Sequence, residues 1–141
     1  MREIKCRGYN KEYDKWVTGS FIDGYILNEV IESNQEYIAI GKWAQVDIKS
    51  VGQYTGLKDK NGKEIYEGDI VKCTDGEDKI NELNSDTGIG QVEWFKRFGF
   101  WNISGIENGL GDIIQNGYVE IIGNAYENKE LLAGRGNDND L

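Results

Sequence analysis

The residues best suited to chemistry in this chain lie at positions 90–101, which read GQVEWFKRFGFW. Five large rings, Trp94, Phe95, Phe98, Phe100 and Trp101, flank two adjacent cations, Lys96 and Arg97. Aromatic side chains on a strand pair can stack nucleic-acid bases for roughly 1–3 kcal/mol each, while neighbouring cations hold phosphates. Trp94, Lys96, Arg97, Phe98 and Phe100 are therefore candidate contacts to a single-stranded nucleic acid. The alternative is structural: a tight hairpin whose alternate aromatics fill a core, with Lys96 and Arg97 at its tip. The spacing alone favours the core.

Elsewhere the sequence removes chemistry. Histidine is absent, which eliminates the usual general base near neutral pH, the imidazole metal ligand and the Ser-His and Cys-His nucleophile pairs. Cys6 and Cys73 stand far apart and neither forms a C-x-x-C pair. They read as small buried hydrophobes of a reducing cytosol, and no cysteine cluster exists for zinc. Residues 105–111 and 88–90 are rich in glycine but lack the Lys-Ser/Thr or the third glycine of phosphate-binding loops. Paired carboxylates such as Glu64/Glu67 and Asp23/Glu29 do not stand out among 25 acids. The tail from Gly134 to Leu141 matches one unit of a calcium-binding nonapeptide, but such units act in arrays and a lone one reads as a flexible end. The expectation is a protein that is not an enzyme, with no catalytic, cofactor-binding or metal-binding residues.

A net charge of −9 opposes coating of nucleic acid by bulk charge. The charge is uneven. Residues 1–19 hold five basic residues (Arg2, Lys5, Arg7, Lys11, Lys15), whereas 75–86 hold Asp75, Glu77, Asp78, Glu82 and Asp86 against Lys79 alone. No run approaches the ~18 apolar residues of a membrane span, and no apolar stretch follows the basic start, so neither a membrane contact nor a signal peptide is expected. The expected location is the cytoplasm.

The elements that must position these residues are strands. Proline is absent and glycine supplies 19 residues, so turns fall to Gly, Asn and Asp. Short alternating or β-branched runs predict strands over 3–9, 16–22, 25–30, 36–40, 46–51, 54–57, 69–73, 89–96, 99–103 and 118–122. Asp23-Gly24 and Asn61-Gly62 are hairpin signals, the latter expected to take positive φ at both positions, with Lys58, Asp59, Lys60, Lys63 and Glu64 in water. Ile65, Ile70 and Val71 are candidate core, and Asp69 is expected to accept backbone N–H bonds in the turn at Gly68. Residues 74–88 read as a long exposed acidic loop. Asn124 and Glu127 form a capping-box pattern that would open a short helix through Leu132, ended by Gly134.

Two resemblances attach to these residues. Gly90, Val92, Trp94, Phe95, Phe98, Gly99 and Phe100 are similar to the nucleic-acid-binding hairpin of cold-shock domains, although Glu93 stands where that family carries lysine and its second aromatic strand has no counterpart. Residues 51–71, VGQYTGLKDKNGKEIYEGDIV, resemble the signature stretch of the YopX family of phage and prophage proteins. The opening Met1-Arg2-Glu3-Ile4-Lys5 with Arg7-Gly8 and Trp16-Val17 is similar to that family's start, and Val119-Glu120-Ile121-Ile122-Gly123-Asn124 with Tyr126-Glu127-Asn128 to its end. The resemblance implies a mobile-element origin, an intracellular soluble protein of mostly β architecture, and no functional residues to carry over. It implies an SH3-like β-barrel in the C-terminal half.

The fold expected is mainly β: an N-terminal antiparallel sheet over 1–50, a small SH3-like barrel over 51–128 with the exposed loop 74–88, and a helix end with flexible tail over 129–141. The function expected is a non-catalytic macromolecule-binding accessory protein of YopX type. Its partner would be a host or phage protein and it would form a homo-oligomer. The alternative is a single-stranded nucleic-acid binder using residues 94–101.

Overall fold

The computed structural model describes residues 5–22, 25–28, 42–76 and 79–136. The Asp23-Gly24 turn, the strand expected over 36–40, the first four residues and the tail from 137 lie outside them. The chain divides into two compact units, residues 1–54 and 55–141.

In the first unit β1 (Cys6–Asn10) and β2 (Lys15–Ile22) form an antiparallel hairpin with Asn10 opposite Lys15 and Cys6 opposite Gly19. Asn10 is buried because its side chain is used twice. Its Oδ1 accepts the Tyr13 N–H at 2.7 Å, closing the turn, and its Nδ2 donates to the Gln45 carbonyl at 2.9 Å. β3 (Tyr25–Asn28) and β4 (Lys42–Gln45) extend the sheet in the order β4-β3-β2-β1, and the start of β5 (Gly52–Lys58) pairs with the other edge of β1, Cys6 opposite Gln53. The strand expected over 46–51 is instead a 3-10 turn at Ile48–Ser50. Its cause is local competition for backbone bonds. The Asp47 carboxylate accepts the Lys49 N–H, and the Ser50 hydroxyl donates to the Asp47 carbonyl while accepting the Tyr9 N–H.

In the second unit β5 runs on beside β6 (Glu64–Tyr66). The turn between them is built on Asp59 rather than on Asn61. Asp59 is buried, not in water as expected, and its Oδ1 accepts the N–H groups of Asn61 and Lys63 at 2.9 Å each. Gly62 takes positive φ but Asn61 does not. At the next turn Asp69 Oδ2 accepts the Tyr66 N–H at 2.7 Å, as its position predicted.

A four-stranded antiparallel sheet follows in the order β10-β7-β8-β9, from β7 (Asp69–Thr74), β8 (Gly88–Phe95), β9 (Phe100–Ile103) and β10 (Tyr118–Asn124). Among the described residues these pairings close no barrel. In place of the expected SH3-like closure, helix α1 (Leu110–Asn116) packs against both outer strands, β9 and β10. The core gathers Ile65, Val71, Cys73, Val92, Ile103, Leu110, Ile113 and Val119. Each such Ile, Leu or Val stabilises by roughly 1.5–3 kcal/mol. Read locally, α1 is a poor helix: Gly109 offers no side-chain cap and Gly111 weakens it. Leu110 and Ile113 lie three apart on one face, and their burial stabilises the helix. Asn124 and Glu127 do bond reciprocally, Asn124 Oδ1 accepting the Glu127 N–H at 2.8 Å. They close a turn, and α2 (Glu130–Gly136) begins after it and runs past Gly134.

Candidate functional site

The hairpin of β8 and β9 pairs Val92 with Ile103, Glu93 with Asn102, Trp94 with Trp101 and Phe95 with Phe100. Side chains alternate between faces along each strand. Val92 and Ile103 are fully buried at one end of the hairpin, and two residues further along the same face lie Trp94 and Trp101. Their rings meet edge to face, with centroids 4.9 Å apart. Phe95 and Phe100 are directly opposite one another, with ring centroids 5.3 Å apart, and Phe98 packs on Phe95 at 5.2 Å. The tip closes through the Phe95 carbonyl, which accepts the N–H groups of both Phe98 and Gly99.

The rings do not fill the core, contrary to the reading that spacing favoured. Trp94 is 43% exposed, Phe98 65%, and Phe95 and Phe100 37% each. The physical reason is reach. The fully buried core cluster reaches this strand pair only as far as Val92 and Ile103. Trp101 alone among the five rings packs against the core cluster. The rings support one another instead, in edge-to-face pairs worth roughly 0.5–1.5 kcal/mol beyond burial. Lys96 and Arg97 are exposed at the tip, and the Arg97 guanidinium lies 5.4 Å above the centre of the Phe98 ring. The structure thus brings Trp94, Lys96, Arg97, Phe98 and Phe100 onto one projection. Phe95, which touches both Phe98 and Phe100, is the residue that sequence reasoning left out. Its register opposite Phe100 was the available signal.

The unit that carries the projection is of the other sign overall. Residues 55–141 contain seventeen acidic and nine basic residues, and Glu93 on β8 is itself exposed. The loop before β8 is fastened by the Ser85 hydroxyl, which donates to the Glu107 carboxylate, and by Asn108, whose side chain and backbone N–H groups both donate to Asp86. Next to Asn108, Gly109 lies so close to the Phe100 ring that a Cβ there would sit 2.9 Å from it. The acidic loop and the aromatic hairpin are therefore both anchored on residues 107–109.

A cavity of about 240 Å³ opens beside the loop, lined by Thr74, Asp75, Asn84, Asp86, Thr87 and Asn116 among others. A shallower one of about 450 Å³ in the first unit is lined by Asn10, Lys11, Gln45, Asp47 and neighbours. Among the described residues no three His, Cys, Asp or Glu side chains converge to hold a metal ion. No described helix is long and apolar enough to cross a membrane. Cys73 is sealed in the core; burial, and then the charge of Asp86, push its thiol from 9.0 up to about 12. It is therefore a neutral packing group and not a nucleophile at neutral pH.

Fold and surface together define a mainly β protein of two antiparallel units with a projecting aromatic and basic hairpin. The chain belongs to the YopX protein family, whose model matches residues 5–133. It is similar to a solved structure, protein EF1440 from Enterococcus faecalis, with 25% identity, 94% of this chain and 99% of that chain covered, and a TM-score of 0.55. No curated protein matches the sequence.

Proposed function

We propose that the protein is a non-catalytic accessory module of phage or prophage origin, working in the host cytoplasm, that binds a macromolecule through the hairpin of residues 94–101. The partner on this reading is a host or phage protein. One observation carries it: four large rings stand exposed on one hairpin, Phe95, Phe98 and Phe100 packed together and Trp94 on the opposite face. Contiguous exposed apolar surface of this kind marks interaction sites, and aromatic and arginine side chains are the residues that dominate binding energy there.

The test is affinity capture with the wild-type chain and with Phe98→Ala and Arg97→Glu as baits. Partners that depend on the hairpin are lost from both variants; an unchanged set of captured proteins overturns the assignment of the site. A second reading, binding of single-stranded nucleic acid, is favoured by the position of Lys96 and Arg97 beside the rings. Tryptophan fluorescence titrated with short single-stranded DNA and RNA at low salt is quenched under that reading. Absence of quenching removes it.

A further inference from the structure

We propose that the hairpin tip of one copy docks on the acidic loop of a second copy, Lys96 and Arg97 facing Asp75, Glu82 and Asp86 while Phe98 packs on Leu83. The inference rests on the reading of the hairpin as a contact surface, and it names the occupant.

Among the described residues of the second unit, exposed large apolar side chains fall into two groups. One is the hairpin. The other is Ile80, Leu83 and Tyr118, with Leu83 97% exposed. Tyr118 belongs with the loop because its ring lies 3.6 Å from where a side chain on Gly76 would begin. A leucine left this far in water, on a loop that also exposes Ile80, offers apolar surface to a partner from outside the unit. The two groups are opposite in charge. The hairpin tip holds Lys96 and Arg97, and the loop holds Asp75, Glu82 and Asp86. Apolar content and charge are therefore complementary between two surfaces that every copy carries.

Residues 81–87 of the loop are also held in shape before any partner arrives. The Thr87 hydroxyl accepts the Asn81 N–H at 2.8 Å and donates to the Asn81 carbonyl at 2.7 Å, and Asn81 Oδ1 accepts the Leu83 N–H at 3.0 Å. Asp86 is oriented by Asn108. Little ordering entropy then remains to be lost on docking. The cavity beside Asp75 and Asp86 has room for a guanidinium, which carboxylates receive better than a compact ammonium. A nucleic acid would meet like charge at this loop, whereas the basic tip of another copy meets the opposite sign. Tip and loop are different surfaces, so the contact is made twice in a closed dimer or once per copy in a chain.

Sedimentation velocity of the full chain over a concentration series, at low and high salt, tests this. The wild type associates, and salt weakens it. Arg97→Glu and Glu82→Lys each raise the dissociation constant by about tenfold or more. The double variant recovers association, and so does an equimolar mixture of the two single variants, because one copy keeps the native tip and the other the native loop. All the altered side chains are exposed, and thermal melts matching the wild type confirm that the variants fold. Phe98→Ala and Leu83→Ala provide an uncharged pair with the same expected loss. A chain that stays monomeric at every concentration, or association that neither substitution changes, overturns the docking. If the wild type is monomeric yet Phe98→Ala abolishes capture of another macromolecule, only the self-docking falls. If Phe98→Ala alters neither association nor capture, the contact surface falls with it.

Discussion

Replacing Asp59 by alanine should be among the most damaging single changes in the second unit, and its magnitude follows from three hydrogen bonds. Asp59 Oδ1 accepts from Asn61 and Lys63 at the hairpin tip, and Oδ2 accepts the Ile121 N–H on β10 at 3.0 Å. Next to it the Lys60 N–H donates to the Val119 carbonyl, so the tip is stitched to β10 at two points. In Asp59→Ala, water takes over at exposed Asn61 and Lys63, with a loss of about 0.5–1 kcal/mol each. The Ile121 N–H is half-buried and is left unsatisfied, which costs about 1–3 kcal/mol. The sum is roughly 2–5 kcal/mol, which for a unit of this size lowers the melting temperature by about 8–40 °C. Asp59→Asn keeps the shape and one acceptor oxygen and should lose about half as much. Thermal unfolding followed by far-UV circular dichroism reads both. A melting temperature for Asp59→Ala within about 4 °C of the wild type would mean that water replaces every contact, and that the carboxylate does not fasten the tip to β10.

Gly90→Ala should destabilise by about 3 kcal/mol or more, because its Cβ would lie 2.1 Å from the Ser104 carbonyl oxygen, a backbone atom that cannot swing aside; urea unfolding measures it. Phe98→Ala should cost no more than about 1.5 kcal/mol, the worth of its edge-to-face pair with Phe95, since the ring is largely in water; a larger loss would show that the hairpin is structural. Cys73 should resist Ellman's reagent in the native chain and react on addition of denaturant. Its raised thiol also sets a pH dependence. The unfolded chain gives up this proton near 9 and the folded chain only near 12, so the stabilising contribution is whole below pH 9. It falls by about 1.4 kcal/mol per pH unit above that. Urea unfolding of wild type against Cys73→Ala over pH 8–11 should show the difference between them narrowing as pH rises.

What was legible in the sequence was what short-range chemistry decides. Asp69 three residues after Tyr66 must bond the Tyr66 N–H, and Ile65, Ile70 and Val71 must be core, because each choice is enforced within a turn of chain. Where two local devices compete, legibility fails. Residues 46–51 alternate like a strand, yet Asp47 and Ser50 supply a closer set of acceptors and donors than a neighbouring strand does. Helix α1 was hidden because its stability comes from Leu110 and Ile113 entering a core assembled from five strands, not from its glycine-bearing sequence. The exposure of the hairpin was hidden for the same reason. Alternation says which rings share a face but not how far the buried core extends, and here its fully buried pairs end at Val92 and Ile103.

The two occupants considered for that hairpin differ in which residues should matter most. Only Lys96 and Arg97 stand at the tip, so a single-stranded nucleic acid could release at most about two counterions there, a slope of roughly −1.4 in log affinity against log salt. The acidic surround opposes a polyanion further, until salt screens it beyond about 8 Å. Most of the affinity for nucleic acid would then have to come from the rings, and Phe98→Ala should weaken it more than Lys96→Ala does. Docking on the acidic loop of a second copy reverses that order of argument. There the favourable field comes from the partner's Asp75, Glu82 and Asp86, so reversing a charge on one side breaks the contact and reversing its counterpart remakes it. A rescue by charge exchange is open to a protein partner whose sequence can be altered to match, and closed to a phosphate backbone. The same exposed rings thus acquire their meaning from the sign of what faces them.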